Sequence, residues 1–211
     1  SAWSLFFNFY ILSLGYDKDF LGLVNSLPSI GALLFSIPIG ILSDRIGRRK
    51  AMLLGLLVNT IAMGLQVTFT GPSLLLAMVF IGGLGQNLYY ISQSPFIMSA
   101  SDQKTRTLLF SLNFGLVTLS GAVGSLFAGQ LPQFFGNVLN VQADSATAYQ
   151  AVLLCAVALG SLSMLPIFLI HEPPGSRAVA REKRQPIGNL LRRPILWKLL
   201  LPQALTGLGA A

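Results

Sequence analysis

Charge is scarce in this chain. Asp, Glu, Lys and Arg make up 10% of its 211 residues, against roughly a quarter in soluble domains. That shortage excludes an ordinary soluble domain, which needs far more polar surface at this size. Cysteine is nearly absent too. Cys155 stands alone inside an apolar run, so no internal disulfide is available, and no Cys/His spacing resembles a metal site. The single histidine, His171, sits beside Glu172 at the edge of an apolar run. No nucleophile–base pairing can be picked out, so neither an enzyme nor a cofactor is expected. Gly82-Gly83-Leu84-Gly85 has no strand before it and runs on into apolar sequence, which excludes a phosphate loop.

What fills the chain instead is apolar sequence: 53% of residues are hydrophobic and the mean hydropathy is +0.69. These values predict an all-α protein with several membrane spans. Seven apolar runs can be marked, at 1–14, 20–43, 51–69, 73–97, 107–135, 148–170 and 195–211. Pro28 and Pro38 fall inside the second, where neighbouring helices re-satisfy the freed backbone groups. The first run is too short to cross a bilayer, which takes about 20 residues. It has no basic n-region or cleavage site, so it is not a signal peptide. The chain starts on Ser1 and stops inside an apolar run at Ala211, so it reads as a piece of a longer protein. The expected organisation is a six-helix bundle at 1–170, a basic inter-half loop at 171–194 and the start of a seventh span at 195–211.

The net charge of +7 would suggest nucleic acid in a soluble protein. Here the cations are confined to loops and lack interleaved aromatics, so no nucleic-acid partner is expected. If the spans alternate, Arg45, Arg48, Arg49 and Lys50 fall on one side with Lys104, Arg106 and every basic residue after 170. Lys18 alone falls on the other. Positive residues gather on the cytoplasmic side, so the turn at 40–50 is expected in the cytoplasm. The loop at 137–147, with Asp144 as its one charge, is expected outside. The long basic loop also suits anionic lipid headgroups.

That turn reads Gly40-Ile41-Leu42-Ser43-Asp44-Arg45-Ile46-Gly47-Arg48-Arg49-Lys50. It resembles the signature loop of the major facilitator superfamily, Gly-x-Leu-x-Asp-Arg-x-Gly-Arg-Arg between the second and third spans. The resemblance extends along the chain: six spans, a long basic loop, a seventh span. It implies the N-terminal half of a twelve-span transporter in the cell membrane, with a small-molecule substrate, a lipid surround and a second half of the same protein as partners. It also implies that Asp44, Arg45 and Arg48 act as a cytoplasmic latch made and broken as the transporter alternates. Arg49 joins this set, and Asp102, at the end of the fourth span, is a candidate partner for one of the arginines. The other reading of the turn is a topology anchor alone. Gly40 is expected to admit a close helix neighbour, and Gly47 to permit the reversal.

Polar side chains within spans need a helix neighbour or a wet cavity. Gln86, Tyr90 and Gln93 recur at i, i+4, i+7 and share one helical face, flanked by Asn87 and Ser94. Two readings stand: contact with substrate, or a hydrogen-bonded seam between helices. Asn8, Asn25 and Asn113 are weaker candidates for the same role. Gly115, Gly121, Gly124 and Gly129, with Ser120, Ser125 and Ala128, are expected to let the fifth span touch another backbone. Antiporters of the family carry Gly-Pro there, whereas Gly121 precedes Ala122. Many members carry an Arg four residues before the Gly-x-Gly of the fourth span, and that position is Val79. The six spans hold no charge in their cores, so this half offers no proton-coupling group. A transporter is the first functional expectation, and a non-transporting membrane sensor or scaffold is the alternative.

Overall fold

The computed structural model describes residues 2–169, so the expected loop at 171–194 and seventh span at 195–211 lie outside the described residues. The described residues form α1 (Ala2–Ser13), α2 (Lys18–Ile46), α3 (Arg48–Thr68), α4 (Pro72–Ser99), α5 (Arg106–Ala128), α6 (Leu131–Leu139), α7 (Ala146–Leu162) and α8 (Met164–Leu169), with no strand among them. Among the described residues, five segments are long and apolar enough to cross a membrane: α2, α3, α4, α5 and the stretch Ala146–Leu169. The shorter α1 is also apolar.

Local chemistry sets the ends of the helices. Asp17 caps α2 by accepting from the Phe20 N–H at 2.9 Å, and Ser145 caps α7 by accepting from the Ala148 N–H at 3.2 Å. Pro72 opens α4, at a position whose N–H would have no partner anyway. Between α2 and α3 the turn is a single residue. Gly47, at φ 92°, closes one helix and opens the next. Its N–H reaches the Ser43 carbonyl at 3.1 Å and its carbonyl accepts from Ala51 at 2.9 Å. An L side chain is strained at that φ, so the reversal depends on glycine.

The apolar run 107–135 does not form one helix. α5 stops at Ala128, and α6 begins at Leu131 with Pro132 in its first turn. Proline has no N–H, and its ring clashes with the carbonyl four residues back, here that of Ala128. Helix then continues to Leu139, past the expected start of the polar loop at 137. It ends at Asn140 in the left-handed region (φ 54°), a conformation asparagine tolerates.

The main core joins Phe6, Phe7, Tyr10 and Ile11 of α1 to Val24, Val67, Leu75, Val79, Ala128, Val152 and Leu153. At its centre the Tyr10 hydroxyl donates to the Val67 carbonyl at 2.8 Å, and Gln150 Nε2 donates to the same oxygen at 3.0 Å. α1, α3 and α7 therefore meet at one carbonyl. A smaller cluster of Ile39, Ala51 and Leu88 packs toward the Gly47 turn.

The closest approaches are made by glycines. A Cβ built on Gly55 would lie 2.6 Å from the Gly85 carbonyl oxygen, and one on Gly85 would lie 2.8 Å from the Gly55 oxygen. One on Gly83 would lie 2.8 Å from Pro28 Cα. α4 thus lies backbone-to-backbone against both α3 and α2. The fifth helix is different from expectation. Cβ atoms on Gly115, Gly121, Gly124 and Gly129 would meet nothing within 4 Å among the described residues.

Candidate functional site

The basic turn is tied down by hydrogen bonds to backbone carbonyls. Arg48 Nη1 donates to the Pro95 carbonyl of α4 at 2.9 Å. Arg49 donates from Nε to the Ile167 carbonyl at 3.1 Å and from Nη2 to the Phe168 carbonyl at 2.5 Å, both in α8. A guanidinium presents several donors in a fixed fork, which suits it to gather carbonyls from neighbouring segments. One turn back, the Ser43 and Ser92 hydroxyls lie 2.7 Å apart, both buried. Ser92 gives its proton to the Leu88 carbonyl at 2.7 Å, so Ser43 is the donor to Ser92.

Asp44 is half-buried, and Arg45 and Asp102 are exposed. Among the described residues none of these three takes part in an ion pair. The Asp102 carbonyl instead accepts from the Arg106 N–H at 3.0 Å as α5 begins. Gly40 does not make the close approach expected of it. A Cβ there would stand 4.0 Å from Ile91 Cγ2, an ordinary contact. The close neighbours lie nearer the start of α2, at Gly31 and Pro28, which face Phe80 and Gly83.

The polar residues of α4 go to different neighbours. Gln86 lines a cavity of about 200 Å³ between α1, α2, α3 and α4. Gln93 Nε2 donates to Asn113 Oδ1 of α5 at 3.4 Å and to the Tyr89 hydroxyl at 3.3 Å. Asn87 Nδ2 donates to Ser36 Oγ of α2 at 3.2 Å. Tyr90 is exposed and packs edge-on to Tyr89, with ring centroids 5.6 Å apart. Asn8 accepts from Asn25 Nδ2 at 3.2 Å, which joins α1 to α2, and Asn25 also lines the cavity.

Two amides of α3 complete that cavity and went unnoticed in the sequence. Asn59 and Gln66 both line it. They stand seven residues apart with Met63 between them, the same i, i+4, i+7 rhythm that marks Gln86, Tyr90 and Gln93. That rhythm could have found them. Gln66 is buried, and its Nε2 donates to the Met78 carbonyl at 3.1 Å. The polar lining is therefore Ser4, Asn25, Asn59, Gln66 and Gln86, with Val79 among the apolar walls. Such a lining donates and accepts hydrogen bonds but holds no charge. Among the described residues no three His, Cys, Asp or Glu side chains converge as metal ligands.

The sequence as a whole matches the family profile of the Major Facilitator Superfamily over residues 1–211. The chain belongs to that family. Its fold accords with the N-terminal half of a facilitator, and it is a multi-pass membrane protein of a transporter family. It is similar to the uncharacterized MFS-type transporter YfkF of Bacillus subtilis, 28% identical over 120 residues, covering 56% of this chain and 31% of that one. The MFS-type transporter MJ1317 of Methanocaldococcus jannaschii is 32% identical over 98 residues, 46% of this chain and 24% of its own. The methylenomycin A resistance protein of Bacillus subtilis is 29% identical over 139 residues, 64% of this chain and 27% of its own. The matched region is less than a third of the length of each relative.

Proposed function

We propose that this facilitator half belongs to a secondary transporter that moves a small, uncharged, hydrogen-bonding solute across the cell membrane by alternating access. The observation that carries this reading is the cavity between α1 and α4, whose polar groups are all neutral. Val79, where many members carry arginine, adds an apolar wall. Gln86 contacts the solute, with Tyr90 and Gln93 farther along the same face, and Asn8, Asn87 and Asn113 hold their neighbours in place. A second half of the same protein closes over this face and rocks against it. The 40–50 turn faces the cytoplasm, as the cation count supports.

Cysteine accessibility in the full-length protein tests the cavity. In a Cys155→Ala background, cysteines at 86, 90 and 93 are expected to react with a membrane-impermeant thiol reagent, while cysteines at the buried positions 88 and 92 do not. Absence of labelling at 86, 90 and 93 alike removes the solute pathway and leaves a sensor or scaffold. A second reading concerns direction. The resemblance to a methylenomycin A resistance protein supports outward transport, which everted vesicles distinguish from uptake.

The turn is the moving contact in this reading. Arg48 and Arg49 secure it to its own half, and Asp44 and Arg45 engage the second half, with Asp102 as a further candidate partner for the arginines. Asp44→Asn is expected to slow transport roughly tenfold, the usual scale of a conformational coupling, at unchanged membrane insertion. Normal transport by that variant reduces the turn to an anchor.

A further inference from the structure

A second and larger cavity lies on the opposite side of α1. Trp3, Ser4 and Phe7 face the amide cavity. Phe6 and Phe9, on the other side of the helix, face a space of about 600 Å³ between α1, α5, α6 and α7. At 3.6 residues per turn these two sets diverge by more than a right angle, so α1 is a wall between two compartments. The larger cavity falls within the range of about 300–1,000 Å³ used for drug-sized ligands.

Its chemistry differs from that of its neighbour. The walls are mostly apolar, with Phe9 and Tyr149 stacked at a centroid distance of 5.8 Å and Phe6 tilted toward Tyr149 at 6.4 Å. One charged group enters the lining, the Asp144 carboxylate, with Gln133 nearby. Asp144 is exposed but stands in a turn that is held firmly. Val141 N–H reaches the Gly136 carbonyl at 2.9 Å and Ser145 N–H the Gln142 carbonyl at 3.1 Å. Ala143 packs so closely on α6 that a Cβ at Gly136 would lie 3.1 Å from its Cα.

The surrounding charge has the same sign. Gln150, in the first turns of α7, bonds Val67 in the last turn of α3, and Tyr16 bonds the Thr70 carbonyl. The Asp144 turn therefore lies at the end of the bundle that carries Asp17, Lys18 and Asp19: three carboxylates against one ammonium. The other described cations fall in the Gly47 turn and between α4 and α5, at the opposite end.

We propose that this cavity is a binding site for an amphipathic organic monocation, its apolar body against Phe9 and Tyr149 and its charge at Asp144. Aromatic faces attract a cation through their quadrupole, and a carboxylate at the rim adds the complementary charge. A small metal ion finds too few oxygens here. A lipid tail fits the walls but leaves the carboxylate idle, and an anionic lipid meets repulsion. The site is separate from the amide cavity and does not rest on the reading given to it.

Equilibrium binding of radiolabelled tetraphenylphosphonium to the purified full-length protein, in nanodiscs of neutral phosphatidylcholine, tests the proposal. Wild-type protein is expected to bind saturably. Asp144→Asn is expected to weaken binding by about threefold to fivefold and Asp144→Glu by about twofold or less, the scale of a single exposed charge pair. Phe9→Ala is expected to weaken it roughly threefold. Neutral triphenylphosphine oxide is expected to bind more weakly and to ignore Asp144→Asn. Gln86→Leu, in the other cavity, is expected to leave the cation's affinity unchanged. The side chain of Asp144 makes no hydrogen bond among the described residues, so its asparagine variant folds. No saturable binding overturns the site. So does unchanged affinity in Asp144→Asn, or equal binding of the neutral compound, which would mark a purely apolar or lipid-filled cavity. A drop in Gln86→Leu equal to that in Asp144→Asn assigns the cation to the other compartment and overturns it as well.

Discussion

Glycine is plentiful in both α4 and α5, and the two helices use it differently. Gly83 and Gly85 of α4 press against Pro28 and Gly55, with built Cβ distances to backbone atoms under 3.0 Å. Cβ atoms built on Gly115, Gly121 and Gly124 of α5 would meet nothing within 4 Å among the described residues. The apolar side chains follow suit. Val79 and Leu88 of α4 are buried, whereas Phe114 and Leu126 of α5 are exposed by 74% and 76%. In lipid that exposure carries little cost, because acyl chains are as apolar as leucine. A row of small residues therefore says that a backbone can come close. Whether one does depends on what the rest of the fold delivers to that face.

The largest effect that sharpens this contrast is expected from Gly85→Val. Its side chain would overlap the Gly55 carbonyl, and backbone cannot swing aside as a side-chain tip can. Loss of about 3 kcal/mol or more is expected, read as loss of monodisperse protein on size-exclusion chromatography. Gly121→Val in the same full-length protein is expected to cost less than about 1 kcal/mol. A comparable loss at both positions would break the comparison and show that α5 also has a close backbone neighbour.

Smaller is the effect expected at the basic turn. Arg49→Ala removes donors from the Ile167 and Phe168 carbonyls, and charged hydrogen bonds of this kind contribute about 1.5–3 kcal/mol. The half-exposed setting places the loss at the low end. Thermal melting of the purified protein checks it, with Arg49→Lys expected to recover part of the loss. Smaller than at Arg49 is the effect of Tyr10→Phe, at about 0.5–1.5 kcal/mol, since Gln150 still donates to Val67. Combining it with Gln150→Leu strips both side-chain donors from one buried oxygen, and the pair is expected to lose more than the sum of the two.

Much of the fold was legible because lipid imposes a simple rule. The runs at 20–43, 51–69 and 73–97 became α2, α3 and α4 with ends shifted by a few residues. The helices reach further than the apolar runs because Asp44, Arg45 and Arg48 to Lys50 are helical residues at the membrane edge. The family was legible in one short turn. Where the reading fell short, hydropathy was silent. An apolar count cannot see that Pro132 ends α5 at Ala128. Nor can it say which of several glycines meets a neighbour, and Gly40 was given the part played by Gly55, Gly83 and Gly85. The cavity was half legible. Gln86 stood out by its spacing, while Asn59 and Gln66 share that spacing but stand singly, with the apolar Met63 rather than a polar residue between them.

The single-residue joint at Gly47 bears on how the protein is made. α2 and α3 leave the ribosome as one hairpin with no slack between its arms, yet they share little surface with each other, and each rests chiefly on α4. Until residues 72–99 have been synthesised, Pro28 and Gly55 face lipid or the insertion machinery. α4 then seats both arms at once, through Gly83 on one side and Gly85 on the other. Biogenesis therefore has a natural checkpoint at the fourth helix. A chain damaged there should enter the membrane and still fail to mature.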